Sequence, residues 1–117
     1  MSWTVPTIDP DARILVTVSV ANHGGVPARL VCETADDGAL EIDGALIEAL
    51  LDVGYSGFPS VTVTRQRADA GEVDAGCVSF AIASEAARPV EIPGLVSCSD
   101  GEDCPEGQEC LGDLTCG

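Results

Sequence analysis

Four evenly spaced cysteines near the C-terminus constrain this chain more than any other feature. The last 20 of its 117 residues contain them with five residues between neighbours: Cys98, Cys104, Cys110 and Cys116. The same segment has two leucines, Leu111 and Leu114, as its large apolar side chains. Because two leucines cannot form a core, covalent or metal cross-links must hold this segment together.

The cysteine spacing favours disulfides over a metal site. Zinc ligands usually occur as cysteines two residues apart, because one turn must present both thiolates to one ion. No such pair occurs here, and the one histidine, His23, lies far upstream. Disulfides persist in oxidising compartments, so we expect an exported protein. The first 20 residues lack the basic start and apolar stretch of a signal peptide. We therefore expect that the export signal is not part of this chain.

Three pairings are open to the four tail cysteines. The interlocked pairing, Cys98–Cys110 with Cys104–Cys116, has overlapping loops that would pin the whole segment. Sequential pairing would leave two small loops with nothing holding them together. The sequence therefore favours the interlocked pairing.

The remaining cysteines belong to a different kind of segment. We expect two units, a β-sandwich domain over residues 1–96 and a cysteine-rich disulfide tail over residues 97–117, because the composition changes abruptly at Cys98. If the units are independent, Cys32 and Cys77 form a third disulfide inside the sandwich.

Several short runs upstream have β character. Short runs of extended character occur over six ranges: 13–21, 26–34, 39–42, 60–67, 77–83 and 89–92. Asp36-Asp37-Gly38 predicts a hairpin turn, and Asn22-His23-Gly24-Gly25 and residues 68–76 predict a turn and a loop. The fold predicted is all-β, a sandwich of about six to seven short strands, with α+β as the alternative.

One segment changes to helical spacing. Residues 44–52 contain good helix formers, with Leu46, Ile47 and Leu50 on one side. Asp43 is a suitable N-cap and Gly54 a suitable stop. The sequence predicts a short crossover helix over 44–52 within the β unit.

The charge balance excludes some partners. Twenty acidic residues against five arginines and no lysine give a net charge of −15, which excludes nucleic-acid binding and a polybasic membrane surface. No apolar run is long enough to span a membrane. All five arginines precede the tail, whose charges are all negative. We therefore expect a tail partner that is cationic or bridged by calcium.

The tail pattern of Cys98, Cys104-Pro-Glu-Gly-Gln-Glu-Cys110 and Cys116 resembles small cysteine-rich modules of secreted proteins and lipoproteins of myxobacteria. The upstream part, with Cys32 shortly before Asp36-Asp37-Gly38 and the leucine-rich helix, is similar to a β-sandwich module of those surface proteins. The resemblance implies an exported, β-rich cell-surface protein and brings no established activity.

Catalytic patterns are weak, and we predict that the chain is not an enzyme. Nucleophilic catalysis needs a base beside serine or cysteine, and His23, the single histidine, lies in a predicted turn. No phosphate loop or dinucleotide glycine pattern occurs. Among 20 carboxylates, accidental pairs are unavoidable, and we interpret them as solvated surface.

We expect no cofactor, and calcium is the one candidate that the sequence suggests. Two groups of hard oxygen ligands occur: Asp36, Asp37 and Glu41, and Asp100, Glu102 and Asp103. Neither follows the twelve-residue EF-hand pattern. A hairpin turn and a solvated loop are the competing interpretations.

The function that we predict is recognition or adhesion at the cell surface, with a protein, a glycan or a second copy as partner. Tyr55 and Phe58 are the best candidates for exposed binding aromatics. One alternative is a structural subunit of an extracellular assembly, joined through strand edges. Another is a disulfide-rich protease inhibitor or effector that uses loop 104–110.

Overall fold

The protein was analysed as a computed structural model, which describes residues 1–7, 9–21 and 28–117. It contains five main elements: β1 Arg13–Ala21, β2 Ala28–Ala35, α1 Gly44–Asp52, β3 Ser60–Val73 and β4 Gly76–Pro89. The strands form one antiparallel sheet in the order β2-β1-β3-β4. His23, its predicted turn and the predicted strand start at 26 lie outside the described residues.

The alternation in β1 divides the sheet into two faces. Ile14, Val16 and Val20 are buried on one face, which we call the covered face. Val16 lies opposite Cys32 of β2 and Val63 of β3, so these side chains belong to the same face. The residues that alternate with these along each strand, such as Leu15 of β1 and Val31 of β2, point to the other side, which we call the open face.

Helix α1 packs on the covered face. Leu50 is buried against Val20 and Ala28. Partly buried apolar side chains complete this cluster: Val18, Leu30, Leu51 and Ile92. A nine-residue helix is marginal on its own, so this burial supplies most of its stability.

The ends of α1 are those that the sequence predicted. The Asp43 side chain accepts a hydrogen bond from the Ala45 amide at 2.9 Å. Gly54 follows the helix with a φ of +114°, a left-handed conformation that suits glycine. The predicted helix over 44–52 is confirmed.

The N-terminal segment is joined to the turn after β2. Ser2 bridges Ala39, and the Trp3 amide donates to the Gly38 carbonyl at 2.9 Å. The residues after Asp36-Asp37-Gly38 therefore pair with the chain start, and the predicted hairpin with β2 does not form. Local turn signals could not reveal this distant partner.

The predicted fold class is confirmed, because the protein is mostly β with one helix and a disulfide-stapled tail. The described strands form a single four-stranded sheet, however, where two facing sheets were expected. Fewer and longer strands account for the difference. The runs at 60–67 and 77–83 extend to 60–73 and 76–89, so most of the predicted loop over 68–76 is strand.

The tail has the interlocked disulfides Cys98–Cys110 and Cys104–Cys116, with Cα–Cα distances of 5.8 and 5.5 Å. These are the pairs that the sequence favoured. Backbone hydrogen bonds add to them, since the Cys98 amide donates to the Leu114 carbonyl at 3.0 Å. The coreless segment is thus held by cross-links and local backbone bonds.

The predicted disulfide Cys32–Cys77 is absent, since both residues are free thiols. Cys32 aligns across the sheet with Ala86 of β4, and Cys77 lies nine residues away along that strand, about 30 Å. Cys77 is paired with Glu72 and points to the open face, whereas Cys32 is on the covered face. Bonded cysteines have Cα atoms within about 7 Å, so this pairing is wrong for geometric reasons.

Candidate functional site

Strands β3 and β4 continue well beyond the rest of the sheet. β1 pairs with β3 only as far as Gln66, whereas the β3–β4 ladder continues to Val73 and Gly76. We call residues 67–82 the arm. All residues of the arm are exposed. The radius of gyration is 18.7 Å, against about 13 Å for a compact chain of this length, so the arm makes the molecule elongated.

One side of the arm carries an apolar stripe. The stripe consists of four exposed side chains, with exposed fractions of 55, 49, 54 and 69%: Val73, Val78, Phe80 and Ile82. Ile82 lies opposite Arg67 and Phe80 opposite Asp69, which places the stripe on the covered-face side of the sheet. Helix α1 covers that side at Val20, Ala28 and Leu30, at the other end of the sheet.

The outer edge of β4 lacks the charges that usually protect an edge strand. Residues Cys77–Ser84 read CVSFAIAS, with no charge, proline or glycine. The arm part of β3 instead carries Arg67, Asp69 and Glu72, and the opposite edge strand β2 carries charges as well. Edge strands without charge, proline or bulges are templates for pairing with another chain. The sequence of β4 therefore suits strand addition.

Ion pairs hold the root of the arm. Arg67 lies 2.9 Å from a carboxylate oxygen of Asp9 and within 4.0 Å of carboxylate oxygens of Asp11 and Asp69. Each exposed pair contributes little to stability, up to about 1 kcal/mol. Two of the three pairs join the arginine to the N-terminal segment, which links that segment to the start of the arm.

A polar cluster ties the N-terminal segment to the sheet below the arm. The buried Asp36 carboxylate accepts hydrogen bonds from Arg65 Nε at 2.6 Å and from Trp3 Nε1 at 2.8 Å. The hydrogen bond from Arg65, followed by that from Trp3, lowers the pKa of Asp36 below its ordinary value. Asp36 is therefore engaged in fixing structure.

The other predicted calcium ligands near Asp36 are not gathered around a common point. Asp37 accepts a hydrogen bond from the Ala39 amide at 3.4 Å, and Glu41 is exposed. In the tail, Asp100 and Asp103 accept hydrogen bonds from the amides of Glu102 and Ser99. These two carboxylates serve a short 3₁₀ turn, Gly101–Asp103.

Sulfur atoms of the tail lie close enough together to resemble a metal site. Within the described part of the chain, the grouping of at least three potential ligand atoms consists of Cys98, Cys104 and Cys116. All three sulfurs are already bonded in disulfides, and a ligating cysteine must be a thiolate. This grouping is a consequence of the interlocked cross-links.

The predicted binding aromatics lie near the junction of the sheet with the tail. Tyr55 and Phe58 are both exposed. Phe58 lines a cleft of about 640 Å³ together with Pro59 and with residues from the end of β4 and the segment before the tail: Pro89, Ile92, Pro93, Leu95 and Val96. The Ser97 hydroxyl donates a hydrogen bond to the Gly57 carbonyl beneath this cleft.

Sequence reasoning missed the arm, whose residues are all exposed. The signal that could have revealed it is the uncharged run over Cys77–Ser84. Longer uncharged runs occur over 14–28 and 53–64, so this run indicates an exposed edge only together with the position of β4 in the sheet. Exposure on both faces could not be inferred from alternation alone.

Among the described residues, no helix is long and apolar enough to cross a bilayer. Comparison with known proteins adds no relative from which a site could be transferred. The chain matches no protein-family model, no curated protein and no solved structure.

Proposed function

We propose that this chain is a non-catalytic, exported cell-surface domain that recognises another protein through its arm. One observation carries the proposal, namely the exposed apolar stripe of Val73, Val78, Phe80 and Ile82 on a two-stranded ribbon. An isolated two-stranded hairpin is marginally stable in water. A partner that covers the stripe would stabilise the arm and remove this apolar area from water.

Strand addition is the recognition mode that fits the arm. An added strand would hydrogen-bond to the outer edge of β4, and its alternate side chains would contact the stripe. Main-chain bonds then supply affinity, and the pattern of Val78, Phe80 and Ile82 supplies specificity. The charged edge of β3 disfavours binding on the other side of the arm.

The proposal of export rests on the tail. Its two disulfides persist in oxidising compartments, and its cysteine pattern resembles that of secreted and lipoprotein modules. A surface location would expose both the arm and the acidic tail to partners outside the cell.

A cationic partner of the tail is the second candidate, and the distribution of ion pairs favours it. Among the described residues, the ion pairs found join arginines to carboxylates that precede residue 97: Glu33, Asp36, Asp9, Asp11 and Asp69. The negative charge of the six tail carboxylates is therefore available to attract an external cation. Such binding should weaken strongly between 50 and 500 mM salt, about the range over which screening becomes severe.

Binding of the labelled full chain to intact cells of the organism that encodes it tests the main proposal. We expect saturable binding that a double Phe80→Ser, Ile82→Ser substitution abolishes. Val31→Ser is the matched control, because Val31 is an exposed apolar residue on the open face of the four-stranded region. Equal binding by the arm variant and the wild type would contradict the proposal.

A further inference from the structure

We infer that the partner of the arm is a second copy of this chain, joined by antiparallel pairing of the two β4 edges about a twofold axis at Phe80. This inference rests on the proposed function and names the partner. An antiparallel edge is self-complementary, because a twofold axis perpendicular to the sheet brings each donor of one copy to an acceptor of the other.

Symmetry and charge together select the register. Under this axis, residues that face each other must belong to the same side of the sheet. With Phe80 on the axis, the uncharged segment Gly76–Ser84 lies opposite itself, and Val78 faces Ile82 of the second copy. A register centred on Ala81 would instead place Glu85 opposite Cys77. Among the registers that keep every carboxylate outside the paired segment, the Phe80 register pairs the longest stretch of β4.

Pairing through β4 also keeps the charges of the two β3 strands apart. Each copy has a net charge of −15. In the dimer, the two β4 strands separate the charged β3 strands by three strand spacings, about 14 Å. Exposed charges farther apart than about 8 Å are largely screened at physiological salt. The arm carboxylates Asp69 and Glu72 then contribute little repulsion.

The dimer would join the two apolar stripes into one surface. Val78, Phe80 and Ile82 of both copies become neighbours on one side of a continuous sheet, with Phe80 facing Phe80. The paired segment is nine residues long, about 30 Å. A contact about 30 Å long and one strand spacing wide covers much less than the roughly 800 Å² per partner of a stable interface. We therefore expect a reversible dimer that forms as concentration rises.

The register also predicts how far apart the two Cys77 thiols lie in the dimer. Cys77 faces Ala83 of the second copy, so the two Cys77 residues are six residues apart along the strands, about 20 Å. A disulfide needs Cα atoms within about 7 Å. The dimer is therefore held without a Cys77 bond, and a Cys32→Ser, Cys77→Ser background should retain it.

Sedimentation equilibrium of the full chain in this serine background tests the dimer. We expect the mass to rise with concentration from 11.9 kDa towards twice that value. Phe80→Glu should weaken association by about tenfold or more, since it places two carboxylates opposite each other on the axis. Val31→Glu, at an exposed apolar residue on the open face of β2, is the matched control and should associate as the background does.

Two results of this experiment would overturn the inference. One is a monomer at every concentration up to the solubility limit. The other is equal disruption by Val31→Glu and Phe80→Glu, which would indicate a general effect of added charge in place of edge pairing at β4. Circular dichroism of each variant verifies that the sheet remains folded.

Cross-linking tests the register independently. In the serine background, Phe80→Cys should oxidise to a covalent dimer, because facing residues of antiparallel strands have Cα atoms about 4.5–5.5 Å apart. Ile82→Cys is the matched control, since its two copies would be four residues apart, about 14 Å. Equal cross-linking of the two variants, or none for Phe80→Cys, would overturn the register.

The tests separate the inference from the proposed function. A monomeric chain that still binds cells through Phe80 and Ile82 would reject the second copy as partner and retain surface recognition. A dimer with the predicted cross-link that does not bind cells would retain the inference and reject surface recognition.

Discussion

The sheet region and the tail contain similar chemistry in their sequences but are held together in different ways. The sheet has two cysteines, Cys32 and Cys77, and both are free thiols. Its order comes from apolar side chains such as Val16 and from the Asp36–Arg65 ion pair. The tail has four cysteines and all are bonded. Cross-links occur where apolar burial is insufficient.

Reduction of the disulfides should produce the largest difference between the tail and the sheet. We expect a phosphine reductant to unfold residues 97–117 and leave the strands of the sheet paired. Each tail disulfide closes a loop with a sequence separation of 12, which corresponds to about 3 kcal/mol on the chain-entropy model. Hydrogen exchange by mass spectrometry should show full exchange of tail peptides and continued protection of β1.

The control for reduction is the Cys32→Ser, Cys77→Ser variant. It should have the protection pattern of the wild type in both oxidised and reduced samples, because neither thiol is bonded. Loss of protection in the sheet and the tail at the same reductant concentration would contradict the independence of the two regions.

Protonation of Asp36 is the next largest perturbation, and it acts on the sheet region. Its pKa is lowered by the hydrogen bonds from Arg65 and Trp3. The contribution to folding is therefore present above the unfolded pKa, about 3.9, and is lost as pH falls through the lower pKa of the folded protein. Asp36→Asn should be less stable at pH 7 and should lose less stability between pH 4 and pH 2.

Urea unfolding at several pH values measures this difference. Asp37→Asn is the matched control, because Asp37 is exposed and its carboxylate accepts one long hydrogen bond, 3.4 Å, from the Ala39 amide. The control should follow the pH dependence of the wild type. If Asp36→Asn did so as well, the ion pair would have no role in acid stability.

What the sequence could predict follows the same division between local and distant interactions. Helix α1 is set by neighbours, from the Asp43 cap to Gly54, and was predicted with its observed ends. The tail pairing was predicted because a coreless segment leaves few ways to be ordered. The bridge between Ser2 and Ala39 joins distant segments, and no local pattern indicated it.

The arm shows why the rest could not be predicted. Alternation of apolar and polar residues reports a strand with one buried face. Residues 68–72, Ala-Asp-Ala-Gly-Glu, are exposed on both faces and have no such pattern, so they were interpreted as a loop. The wrong prediction of a Cys32–Cys77 disulfide has a similar cause. Sequence separation does not reveal that these two cysteines lie on opposite faces of the sheet.

A core substitution tests whether apolar burial stabilises the sheet. Val16→Ala should lower the free energy of unfolding by about 2 kcal/mol, because it leaves a cavity at a side chain that is 0% exposed. Val31→Ala is the same substitution on the open face, where the side chain is 51% exposed. It should change stability by less than about 0.5 kcal/mol. Equal effects in urea unfolding would contradict the two-faced description.

The smallest effect that we predict concerns the helix that covers the sheet. Asp43→Ala should cost about 1 kcal/mol, because the Ala45 amide loses its acceptor at the N-terminus of α1. Asp52→Ala is the matched control at the other end, where a negative charge opposes the helix dipole, and it should be neutral or slightly stabilising. Urea unfolding of both variants measures the difference. Equal destabilisation by both would contradict a specific contribution of the Asp43 cap.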